Sequence, residues 1–131
     1  MHGAIFRRLG PIAILSLTLL ASSSGCGARQ DPVKARAVVE IALNSWKNAE
    51  DAAQLANQGI EITEPDWQDG HRLLDYSVKD ATLQPQQGPR VVVVLKLEDQ
   101  RGMKFEIEVA YEVIATDKTQ VKIGRDAFHV P

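Results

Sequence analysis

The chain has 131 residues, 15 basic and 17 acidic, for a net charge of −2, and a single cysteine. A mildly acidic surface gives no electrostatic reason to bind nucleic acid or anionic lipid. One cysteine and no Cys/His cluster leave neither a disulfide nor a structural zinc to hold the fold, so a hydrophobic core must do it.

The first 25 residues read as an export signal. Arg7 and Arg8 precede a nearly unbroken apolar run at residues 12–20, and small residues follow from Ala21 to Gly25. This is the order of charged, apolar and small regions that a secretory leader requires. The run is about half the ~20 residues a membrane-crossing helix needs, so removal is expected rather than retention as a span. Without residues 1–25 the chain keeps 13 basic against 17 acidic residues, net −4.

The stretch Ser23-Ser24-Gly25-Cys26 resembles a bacterial lipobox, in which small residues precede a cysteine that is lipidated on sulfur and becomes the new N-terminus. Gly25 and Cys26 fit that pattern; Ser23 stands where an aliphatic residue is usual. The resemblance implies lipidation of Cys26 and a protein facing the periplasm or exterior, anchored to the cell membrane or outer membrane. The alternative is ordinary cleavage near residues 21–23, leaving Cys26 as an unpaired thiol in an oxidising compartment. Residues 26–30 are small and polar, as a tether would be, and residues 31–131 are long enough for one core and not for two.

Within that domain, Asp31-Pro32 is a helix start, the carboxylate accepting an orphan N–H and proline losing nothing at the first helical position. Ala35, Val39, Ala42, Trp46 and Ala49 then recur at helical spacing, with Val38 and Ile41 widening the stripe. Asn48 is expected to end this helix near Lys47 and cap a shorter one through residues 54–57, with Asp51 at the capping-box position and Gly59 as the stop. Residues 60–63 lead into "EPDW", a turn or a single helical turn in which Pro65 prevents a strand from continuing.

From Leu73 the period becomes two. Leu74, Tyr76, Val78 and Asp80 alternate with Asp75, Ser77 and Lys79; Val91, Val93, Leu95 and Leu97 form a second series; Phe105, Ile107, Val109, Tyr111 and Val113 form a third; Val121 and Ile123 close a fourth. Hairpin-length links between them predict a four-stranded antiparallel meander covered on one face by the helix, an α+β fold. This order, long helix, break, short helix and four meandering strands, resembles the cystatin-like and NTF2-like groups, and with the lipobox it resembles small uncharacterised bacterial lipoproteins. The Gln-x-Val-x-Gly signature of inhibitory cystatins is absent.

The resemblance to NTF2-like proteins, some of which are enzymes, implies an interior pocket near Tyr76, Asp80 and Tyr111, where a buried carboxylate would move protons. Against this, both tyrosines can fill core with their hydroxyls at its rim and Asp80 can lie in water at a strand end. His71 and His129 have no metal-ligand spacing and are expected in a surface loop and the tail. Trp46 is expected in the core, and Trp67 either as a lid over the sheet edge or as an exposed contact. The sequence lacks a phosphate-binding glycine loop, Gly-x-Ser-x-Gly and His-Glu-x-x-His. The expected function is therefore that of a membrane-anchored, non-catalytic domain without cofactor, metal or catalytic residues. Its expected contacts are the membrane through lipid on Cys26 and a protein partner, a second copy of itself or a small ligand.

Overall fold

The computed structural model describes residues 31–84, 88–117, 119–127 and 129–131. The leader, Cys26 and the tether lie outside them. Helix α1 spans Pro32–Lys47, and Asp31 caps it by accepting from the Val33 N–H at 2.8 Å. Its buried side is Ala35, Val39, Ala42, Leu43, Ser45 and Trp46, whereas Ile41 is exposed. The break after Lys47 is present, but the short helix that follows, Ala52–Gln58, is a 3-10 segment capped by Asp51 and not by Asn48. Gly59 ends it at φ 77, where an added Cβ would also collide with the Thr119 carbonyl, so only glycine serves.

The remaining elements are β1 (Ile60–Thr63), the single-turn helix α2 (Pro65–Gln68), β2 (Arg72–Gln84), β3 (Gly88–Glu98), β4 (Lys104–Ala115) and β5 (Val121–Arg125). The α+β class is as expected, but the four-stranded antiparallel meander is not. The sheet has five strands in the order β1-β5-β4-β3-β2, and β1 pairs with β5 in parallel, from Ile60 opposite Val121 to Thr63 opposite Gly124. A four-residue strand whose partner lies some sixty residues later leaves no hairpin signature, since periodicity reports only which face is buried.

The inner faces of β3 and β4 run in register, with Leu97 opposite Phe105, Leu95 opposite Ile107, Val93 opposite Val109 and Val91 opposite Tyr111. Apart from Phe105, which is exposed, they join Leu43, Val39 and Trp46 of α1, Leu55 and Ile123 in one core, with Ile107 packed at its margin. Strand β2 departs from simple alternation because its register shifts between Leu73 and Asp75 and again between Val78 and Asp80. Leu73, Tyr76, Val78 and Ala81 oppose the inward residues of β3, while Asp80 opposes Val92 and so lies on the outer face. Each extra residue reverses the faces beyond it.

The outer face is partly closed by the C-terminal tail. Arg90 pairs with Asp126 at 3.0 Å and approaches His129 Nδ1 at 2.7 Å; His129 Nε2 lies 2.8 Å from Glu108, which also accepts from Lys79 at 2.6 Å. Since arginine can only donate, Nδ1 accepts and the Nε2–H donates to Glu108. The Lys79 hydrogen bond first, and His129 second, hold the Glu108 carboxyl below its usual range. This pairing contributes stability above the ordinary glutamate value of about 4.3 and loses it as the pH falls further. Urea midpoints measured from pH 6 to 3 should therefore fall less steeply for Glu108→Gln than for the parent chain.

Candidate functional site

The residues with the most concentrated chemistry lie where β1, α2 and β5 meet. Glu64 follows β1 and caps α2, its Oε2 accepting from the Asp66 N–H at 2.6 Å. Pro65 at the first helical position fixes that turn, and the cap draws the carboxylate inward. The Glu64 side chain is 0% exposed. Its Oε1 accepts from the Tyr111 hydroxyl at 2.7 Å and from Arg125 Nη2 and Nε at 2.5 and 3.1 Å. Arg125 Nη2 also reaches Asp66 Oδ2 at 2.7 Å, so one guanidinium at the end of β5 ties two carboxylates of the preceding turn.

The electrostatics follow from this packing. Burial first, and the Glu64 carboxylate second, raise the Tyr111 hydroxyl well above its ordinary value, keeping it a neutral donor. Burial alone would lower Arg125, but hydrogen bonds to Asp66 and the charge of Glu64 outweigh it and hold the guanidinium above its ordinary value. A buried carboxylate is here matched by a charged fork and a hydroxyl, with Oε1 fully occupied.

Beside this cluster, Trp67 stacks on Trp46 with ring centroids 5.4 Å apart and planes inclined by 6°. Trp46 donates through Nε1 to the His71 carbonyl at 2.9 Å, so the loop before β2 is tied to the helix. His71 is half-buried. Its Nδ1 lies 3.1 Å from Asp66 Oδ1 without hydrogen-bond alignment, and its ring meets the edge of Phe105. Asp66, Asp69 and His71 offer ligand atoms within 4.8 Å of one another. The Arg125 charge already on Asp66 opposes a metal ion there.

Beside Trp67 a half-open concavity of about 240 Å³ is lined by Asp51, Ala52, Ile62, Glu64, Trp67 and Gln68. The 3-10 segment supplies one wall and the turn from β1 into α2 the other.

The residues singled out for an interior pocket do not converge here. Tyr76 donates to Asn44 of α1 at 2.9 Å, Tyr111 donates to Glu64, and Asp80 accepts from the Ala81 N–H on the outer face. His71 and His129, expected in loop and tail, each meet a carboxylate. Glu64 and Arg125 carry the site and have no motif. The only local sign is the pair Glu64-Pro65, readable as a helix cap, and nothing near it announces a partner 61 residues away. No helix among the described residues is long and apolar enough to cross a membrane. No family model, curated protein or solved structure matches this chain, so what the site does must be read from its own chemistry.

Proposed function

We propose that the chain is an exported protein, lipid-anchored through Cys26, whose folded domain binds a ligand or partner and performs no chemistry of its own. The observation that carries this reading is the state of Glu64: fully buried, and occupied by Tyr111, Arg125 and the Asp66 N–H. A proton-transfer residue needs a substrate within hydrogen-bond reach. Glu64 is instead a strap across the β1 and β5 edge. The space between α1 and the sheet is occupied by Leu43, Trp46, Val93, Leu95 and Tyr111, all nearly inaccessible to solvent, which favours binding at an outer surface over an enclosed reaction chamber. A helix laid across the antiparallel run from β2 to β5 supports a cystatin-like or NTF2-like assignment, with the parallel β1 as an addition to the plain pattern.

The reading is tested on the full chain in its own membrane by placing a photo-crosslinking amino acid at Gln68, on the concavity, and at Lys122 on β5. Discrete adducts at Gln68 that exceed those at Lys122 are expected. Equal, diffuse labelling at both positions would remove the concave end as the binding surface.

A further inference from the structure

We propose that the concavity beside Trp67 binds the quaternary ammonium group of a small ligand. This names a ligand class for the binding reading above and rests on it. The lining residues include two carboxylates, Asp51 and Glu64, and no cationic side chain. Trp67 lines the concavity and stacks on Trp46, which does not line it, so one indole face is taken by Trp46 and the other is the face offered to a ligand under this proposal. A cation over an indole face is held by the ring quadrupole, and tryptophan is the strongest such platform.

The space suits a headgroup more than a drug-sized molecule, since about 240 Å³ falls below the roughly 300–1,000 Å³ of ordinary ligand sites. Ile62 and Ala52 offer apolar wall to methyl groups. A primary ammonium carries three donors that would need converging acceptors, whereas Glu64 Oε1 is already filled by Tyr111 and Arg125. A quaternary centre asks for no hydrogen bond, only for negative charge and an aromatic face. Glu64 is fully buried and contributes only its charge from behind the wall, while Asp51 stands exposed at the rim and is the carboxylate a ligand can reach. Arg125 offsets one negative charge at the back of the site, and Asp51 and Asp66 leave the surroundings negative.

The chain's two tryptophans are this stacked pair, so indole signals report the site directly. The full-length chain in a maltoside detergent is titrated with choline and, separately, with its neutral isostere 3,3-dimethylbutan-1-ol, following the Trp67 indole N–H resonance and the fluorescence. A saturable shift with choline in the millimolar range and none with the alcohol is expected. Asp51→Asn, which still caps the 3-10 segment, should weaken choline at least threefold, and Asp117→Asn on the β4–β5 turn should leave it unchanged. Trp67→Leu, followed through the Trp46 indole resonance and fluorescence, should show no saturable shift; if that variant loses its fold, Asp51→Asn decides alone. Phosphatidylcholine against phosphatidylglycerol nanodiscs separate a lipid headgroup from free ligand, a shift in the former alone meaning the headgroup. Equal responses to choline and the alcohol, no saturation with choline, or unchanged affinity in Asp51→Asn would overturn the proposal. Adducts at Gln68 that persist while choline fails would defeat the ligand class only, and loss of both would defeat the binding reading.

Discussion

Arg125→Met is expected to lower stability by about 3–5 kcal/mol, the loss typical of leaving one partner of a buried pair without its counter-charge. Glu64 has no exposed surface, so water cannot replace the guanidinium, and the Tyr111 hydroxyl and Asp66 N–H are neutral donors that only partly compensate. Asp66 loses an ion pair in the same change. Urea unfolding should show the midpoint falling at unchanged slope. The double variant Glu64→Leu with Arg125→Met removes both charges and should lose less than the sum of the two single changes, because groups in one network are not additive. Its remaining costs are the Tyr111 hydroxyl without an acceptor, about 1–3 kcal/mol, and the Asp66 N–H without its cap, about 0.5–2 kcal/mol. Strict additivity would mean that the contact contributes nothing and that β1 is held to β5 by its backbone ladder alone.

Trp46→Ala should cost a similar ~3–5 kcal/mol, for a different reason. The side chain is 3% exposed and lies between the helix and the sheet, so its removal leaves a cavity that neighbouring elements must collapse to fill. The stacked partner Trp67 loses one face, and the His71 carbonyl loses its indole donor at 2.9 Å. Unlike Arg125→Met, this change should also dim the near-ultraviolet circular dichroism of the tryptophan pair. Trp46→Phe, which keeps most of the volume but not the N–H, should recover the larger part of the stability and leave the His71 loop looser.

Local signals in the chain were enough to find the elements that local physics dictates. Asp31-Pro32 and Gly59 mark helix ends through backbone chemistry confined to a few residues. The alternation along β3 and β4 gives the inner face because each strand buries one side. What escaped depends on distant partners or on single inserted residues. Strand β1 is four residues long and pairs with the last strand, so its existence is decided by Val121 to Gly124 and not by its own pattern. The register shifts in β2 turn Asp80 outward, and nothing in "SVKDAT" shows where the extra residue falls. His129, two positions from the end of the sequence, is brought against Arg90 and Glu108 only once the sheet exists. The buried pair of Glu64 and Arg125 is likewise a product of topology: two unremarkable charges whose elements pack at one edge.

Whether the domain works at a membrane is decided most directly at Cys26. Cells expressing the full chain are fed an alkyne-bearing fatty acid, the protein is recovered and clicked to a dye, and wild type is set beside Cys26→Ser. Label on the wild type alone, with the wild type entering the detergent phase and Cys26→Ser staying in the aqueous phase, is the predicted result. An unlabelled wild type that partitions into water as Cys26→Ser does would contradict lipid anchoring.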